Sequence, residues 1–215
     1  MQYDFDKNEI VLFQGDSITD TGRSYFRLNS LGEGYPLAVS QKLGALLPQH
    51  NIQCLNRGVS GNRISDLKRR FKRDCTELYP FPTIVSIYIG VNDTWRLFDM
   101  GLHSPVERFE EIYRELLNEV LAVRKQTKLI LLAPFVLENE PDKAEWHADL
   151  DPKRAVVRKL AQEYSARFID LQEVFDEEMK KTGEGPLYYT VDGVHPTPIG
   201  HALIADRWIE AFAAE

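Results

Sequence analysis

Ile84-Val85-Ser86-Ile87-Tyr88-Ile89-Gly90-Val91-Asn92-Asp93 is the stretch on which the fold turns. Ile84, Val85, Ile87 and Ile89 are β-branched, and no polar alternation breaks the run. Such a strand needs cover on both faces, as strands of a parallel sheet have, and Gly90 ends it. Working outward, shorter runs of the same kind occupy 10–13 (closed by Gly15), 52–55, 128–133 and 167–170. Between them lie segments with helical spacing. Residues 35–47 place Leu37, Leu43, Leu46 and Leu47 in that rhythm, and 64–71 begins a second helix. Residues 105–123 carry Val106, Phe109, Ile112, Tyr113, Leu116, Leu117 and Val120 on one face, and 152–164 forms another helix. A last helix opens with Thr197 as N-cap and Pro198 as first residue, and is expected to bury Ile199, Leu203, Trp208, Ile209 and Phe212. Strands alternating with helices predict a doubly wound three-layer α/β/α fold on a five-stranded parallel sheet. With no linker, repeat or low-complexity block, residues 1–215 read as one domain. Two stretches read as loops, 22–34 and 134–152, the second either a flap over a site or a surface excursion.

Composition agrees with that frame. A chain of 215 residues buries roughly 70% of its unfolded surface and needs no metal or disulfide to fold. With 43% hydrophobic and 27% charged residues it is neither disordered nor fibrous. A net charge of −7 and a pI near 5.3 argue against sequence-independent nucleic-acid binding. Cys54 and Cys75 form no disulfide framework and read as reduced thiols. The N-terminal segment carries Asp4, Asp6 and Glu9 where an export signal would be basic and then apolar. The longest apolar stretch, 129–137, contains Pro134 and is far short of the roughly 20 residues that span a bilayer. A cytoplasmic protein with no membrane or nucleic-acid partner is the expectation.

In a doubly wound fold, ligands bind beyond the carboxyl ends of the strands. There the chain places Gly15-Asp16-Ser17-Ile18-Thr19-Asp20, then Asn56-Arg57-Gly58-Val59-Ser60-Gly61-Asn62, then Gly90-Val91-Asn92-Asp93. Asp192-Gly193-Val194-His195-Pro196 leads into the last helix. Each segment alone is ordinary turn chemistry. Together they supply the parts of an acyl-transfer site. A serine hydroxyl needs a base to become a nucleophile, and His195 suits the task for Ser17. Asp192 can fix the imidazole tautomer, and Pro196 keeps His195 off a helical backbone. An oxyanion needs preplaced donors: the backbone N–H groups of Ser17 and Gly61 and the side-chain amide of Asn92.

These four ordered segments resemble the sequence blocks of the SGNH, or GDSL-type, hydrolases, from about Ile10 to the last helix. The resemblance implies a flavodoxin-like α/β fold with Ser17 as nucleophile, Asp192 and His195 completing a triad, and Gly61 and Asn92 completing the oxyanion hole. Ile18 stands where the first block carries Leu. The extended third block, through Thr94-Trp95-Arg96, and Gly32-Glu33-Gly34-Tyr35 are similar to the small bacterial acetyl xylo-oligosaccharide esterases. Val191 stands where that branch commonly has an aromatic residue. The resemblance implies a cofactor- and metal-free serine esterase acting on short-chain esters of sugars through an acyl-enzyme, as a monomer or a homo-oligomer. Asp16, Trp95 and Arg96 are the candidates for substrate contact, with simple packing the competing reading for Trp95 and Arg96. A lipolytic or thioester hydrolase of the same mechanism, and a non-catalytic carbohydrate-binding protein on the same fold, are the alternative functions.

Other residues take plainer readings. Ser60 lacks the second glycine of a G-x-S-x-G elbow and reads as structural. His50, His103, His147 and His201 show no paired metal spacing. Lys68, Arg69, Arg70, Lys72 and Arg73 read as a solvated helix face. Trp146, Tyr188 and Tyr189 read as core or as site lining.

Overall fold

The computed structural model describes residues 3–213, the side chains of 141 and 142 excepted. The sheet is built around β1 (Ile10–Gly15), which is buried along its whole length. β2 (Gln53–Asn56) pairs with it on one side and β3 (Ile84–Tyr88) on the other. β4 (Lys128–Ala133) and β5 (Arg167–Asp170) continue the sheet, so the order is β2-β1-β3-β4-β5 with every pair parallel.

The two-residue period of a strand divides the core into two halves. Val11, Phe13, Ile84, Tyr88, Ile130 and Leu132 face one layer. Leu12, Val85, Ile87, Leu129 and Leu131 face the other. After β1 comes the single turn α1 (Ser17–Asp20), then α2 (Tyr35–Leu46), whose Tyr35, Val39 and Leu43 cover the first half. On the second half, α3 (Ile64–Phe71) lies beside the later α5. α4 (Val91–Met100) follows β3 directly, and α5 (Val106–Val123) buries the face expected of it, except for the partly exposed Val106. α6 (His147–Glu163) completes that layer. α7 (Leu171–Thr182), the one-turn α8 (Pro186–Tyr189) and α9 (Pro198–Glu210) return to the first half. Trp208 of α9, fully buried, donates its indole N–H to Ser86 Oγ of β3 at 3.1 Å, which ties the last helix to the central strands.

Several elements differ from the sequence expectation, each for a local reason. α6 begins at His147, upstream of Pro152, which lies inside the helix and forfeits one backbone bond there. Residues 141–146 form a 3-10 turn that packs down, with Trp146 only 2% exposed. The long loop is therefore a packed wall with an irregular lead-in. α4 was not expected because its buried residues are consecutive, Val91 to Thr94, and give no stripe. α7, also outside that expectation, is bounded by Asp170 as N-cap and Gly183 in a left-handed C-cap. α9 and the residues after it bury Trp208, Ile209 and Phe212 as expected, but the rest of the buried stripe is Gly200, His201, Ile204 and Ala205, while Ile199 is exposed and Leu203 only partly buried. No helix among the described residues is long and apolar enough to cross a membrane.

Candidate active site

The strand order reverses between β1 and β3, and the crevice beyond their carboxyl ends is where an open α/β sheet of this order binds ligands. Ser17 opens α1 immediately after β1, and Asn92 stands in the first turn of α4 after β3. Gly15 lets that turn close: a Cβ there would stand 2.4 Å from the carbonyl oxygen of Tyr88.

His195 arrives from the far end of the chain. Its Nε2 lies 2.9 Å from Ser17 Oγ, and its Nδ1 lies 2.7 Å from Asp192 Oδ2. The other Asp192 oxygen accepts the backbone N–H groups of Val194 at 3.0 Å and His195 at 2.7 Å. The carboxylate thus folds the loop back on itself while it holds the ring. Burial pushes Asp192 upward, but the His195 ring and these two backbone donors outweigh it and bring its pKa to about 2. A carboxylate that stays ionised accepts from Nδ1–H, which turns the Nε2 lone pair to Ser17. The Asp192 hydrogen bond raises the His195 pKa above its ordinary value, against the opposing effect of burial.

The donors expected of an oxyanion hole are brought to the same edge. Ser17 is the first residue of α1, so its N–H has no partner within the helix. Gly61 has φ +76, and nothing stands within 4 Å of where its Cβ would be. Asn92 is buried, and its Nδ2 donates to Asn62 O at 3.2 Å, leaving a second hydrogen on the same nitrogen. Buried acids lock these loops together. Asp20 Oδ2 accepts the backbone N–H of Ser60 at 3.0 Å and its hydroxyl at 3.1 Å. Asp93 Oδ2 accepts the N–H of Ile64 at 2.9 Å, and Ser104 Oγ donates to Oδ1 at 2.8 Å. Burial raises the Asp93 pKa to about 6.

The substrate-contact candidates separate. The Trp95 ring lies 5.6 Å from the His195 ring and borders a cleft with Phe98, Asp99, Lys143 and Trp146. Asp16 is fully buried, with Oδ1 accepting the N–H of Ile18 at 3.1 Å, so it caps α1 and cannot touch a substrate. Its burial lifts its pKa to about 7. Arg96 is paired with Asp99 on its own helix and does not line the cleft among the described residues.

The plainer readings also meet the structure. Arg70 does not face solvent: it donates to Gly15 O at 2.8 Å, Arg57 O at 2.7 Å, Gln14 Oε1 at 2.8 Å and Asn62 Oδ1 at 2.6 Å. His201 is buried and accepts the N–H of Tyr35 at Nδ1 (3.1 Å), and burial lowers its pKa to about 4. Tyr189 is core, whereas Tyr188 is exposed. Sequence reasoning missed Phe98, Asp99 and Lys143. The first two stand one helical turn beyond Trp95, a signal that recognising α4 would have supplied.

Residues 13–203 match the GDSL-like lipase/acylhydrolase family. An acetylxylan esterase from Geobacillus stearothermophilus is 35% identical over 216 residues, covering 96% of this chain and 95% of that protein. The chain belongs to the GDSL-like lipase/acylhydrolase family. Solved structures agree with that membership. Axe2, an acetylxylan esterase from Geobacillus stearothermophilus, superposes with a TM-score of 0.87 at 32% identity, over 98% of this chain and 96% of that one. LAE5, an alpha/beta hydrolase enzyme from the metagenome of Lake Arreo, gives 0.85 at 30% identity, over 97% of this chain and 96% of that one. This GDSL-type protein is a carboxylic ester hydrolase.

Proposed function

We propose that this hydrolase removes acetyl groups from saccharides through an acyl-enzyme on Ser17. The observation that carries the chemistry is the line from Ser17 Oγ through the His195 ring to Asp192, with contacts of 2.9 and 2.7 Å. His195 Nε2 takes the hydroxyl proton as Ser17 Oγ attacks the ester carbonyl. The N–H groups of Ser17 and Gly61 and the amide of Asn92 receive the oxyanion. Collapse expels the sugar alcohol, to which His195 returns the proton. Water, deprotonated by the same nitrogen, then attacks the acetyl-serine; acetate is released as His195 returns the proton to Ser17 Oγ. The 35% identical acetylxylan esterase supports the acetyl group. The Trp95 face beside His195 supports a pyranose on the alcohol side, since flat aromatic rings suit the apolar face of a sugar. Cys54 and Cys75 are both free thiols, which suits a reducing, cytoplasmic compartment and small oligosaccharides as substrates.

A series of para-nitrophenyl esters of increasing acyl length, run beside acetylated xylo-oligosaccharides, tests the reading. Turnover should be highest for acetyl, should extend to the acetylated sugars, and should vanish in Ser17→Ala. A maximum at long acyl chains would point to a lipase, and full activity in Ser17→Ala would remove Ser17 as nucleophile.

A further inference from the structure

Lys143 is nearly buried, at 8% exposure, and its charge is seated on aromatic faces. Its Nζ lies 3.8 Å from the ring centre of Trp146 and 4.8 Å from that of Trp95. Trp146 in turn stacks on Phe98 at 5.5 Å and meets Trp95 edge-on at 5.2 Å. These side chains, with Asp99, line a cleft of about 270 Å³. Because the Trp95 ring is 5.6 Å from the His195 ring, the cleft adjoins the reacting centre. Indole faces attract an ammonium group without neutralising it. Asp99, the carboxylate among the described lining residues, is paired with Arg96. A chain of net charge −7 therefore presents a cationic, aromatic wall next to its catalytic histidine. An acyl chain would lie against a charge on that wall, whereas a sugar carrying an anion would meet that charge as well as the aromatic rings.

We propose that this cleft holds the alcohol side of the substrate and selects acetylated saccharides bearing an anionic substituent, carboxylate or phosphate. The pyranose lies along Trp95 and Phe98, the accessible rings of the cleft, and its anion meets Lys143 Nζ. The proposal rests on the saccharide-deacetylase reading above.

Two substrate pairs test it. Acetylated methyl xyloside and acetylated methyl glucuronide share a ring and differ by a carboxylate; acetylated glucose and acetylated glucose phosphate differ by a phosphate. In at least one pair the anionic member should have a kcat/KM about tenfold higher at low ionic strength, the size of a charge-assisted hydrogen bond. The gain should appear in KM and shrink with added salt. Whichever pair shows it identifies the anion. Lys143→Met should bring the anionic-to-neutral ratio to about one, and Lys143→Arg should keep it well above one. Equal kcat/KM within both pairs for the unmodified enzyme overturns the proposal and leaves the deacetylase reading standing, as does a ratio that survives in Lys143→Met. If none of the sugars is turned over while para-nitrophenyl acetate is, the saccharide reading fails and the proposal with it.

Discussion

In the proposed mechanism His195 acts as a base only while neutral, and its hydrogen bond to Asp192 favours its protonated form. The acid limb of kcat/KM should therefore be a single ionisation with its midpoint above the ordinary histidine value of ~6.5. The raised His195 pKa also stabilises the fold, fully below that ordinary value while Asp192 stays ionised, and the contribution is lost as pH rises through the raised folded value. Asp192→Asn removes the cause, so its acid limb should move down as kcat falls by about 10⁴. A pH–rate profile of both proteins, taken where circular dichroism shows them folded, checks this; an unmodified enzyme with its midpoint below ~6.5 would contradict it. Asn92 carries the other residue-scale prediction. One hydrogen of its amide is committed to Asn62 O, and the other is free for an oxyanion. Asn92→Ala should lose ~10²–10³ in kcat, about 2.7–4 kcal/mol, with a smaller change in KM. If the amide only ties the Asn62 loop, the variant will instead unfold earlier and keep kcat within a few fold.

The basic run on α3 shows how one helix divides its residues between solvent and site. Lys68 bridges Glu115 and Glu119 on α5 and keeps 28% of its side chain exposed, whereas that of Arg70 is 9% exposed. Arg70 joins the end of β1, through Gly15 O, to the loop after β2, through Arg57 O and Asn62 Oδ1. It also pairs with Asp74 at 3.2 Å. Arg70→Met leaves those acceptors without their buried donor and should cost ~3 kcal/mol of stability. It should lower kcat as well, since both connected segments carry the proposed oxyanion donors. Lys68→Met, on the same helix, should stay within about 1 kcal/mol, as exposed ion pairs do. Urea unfolding and steady-state kinetics on the two variants decide whether the phase of α3 is as described; equal losses would show that it is not.

Across the whole molecule, one buried acid should leave a mark on stability. Asp16 has no exposure, its Oδ2 has no hydrogen-bond partner among the described residues, and burial raises its pKa to about 7. Between the unfolded carboxyl value of ~3.9 and about 7, the folded chain keeps a proton that the unfolded chain has lost. Stability must therefore fall with rising pH across that window, by roughly 1.4 kcal/mol per pH unit from this group. Asp16→Asn should remove that slope, gaining on the unmodified protein as pH rises from 4 to 7. Unfolding free energies of both proteins across that range test it, and parallel curves would show that Asp16 is ionised in the fold.

The architecture was legible because its signals are local. The β-branched run at Ile84, the helical spacing from Val106 to Val123 and the Thr197-Pro198 helix start depend on neighbours a few residues away. The candidate site was legible for a different reason. Turn residues in four separate segments matched one chemical task, although Ser17 and His195 are 178 residues apart. What only the tertiary structure decided was where polar side chains spend their charge. Asp16 reads in the sequence as a substrate contact beside Ser17, and the fold buries it as the N-cap of α1. Arg70 looked solvated within a basic run, and packing turned it inward. Lys143 and Trp146 lay in an apparent loop and became the wall beside His195, because α4 and the 3-10 turn, far apart in sequence, meet there. Backbone preference is set by adjacent residues, whereas the surroundings of a charge are set by whichever distant segments pack against it.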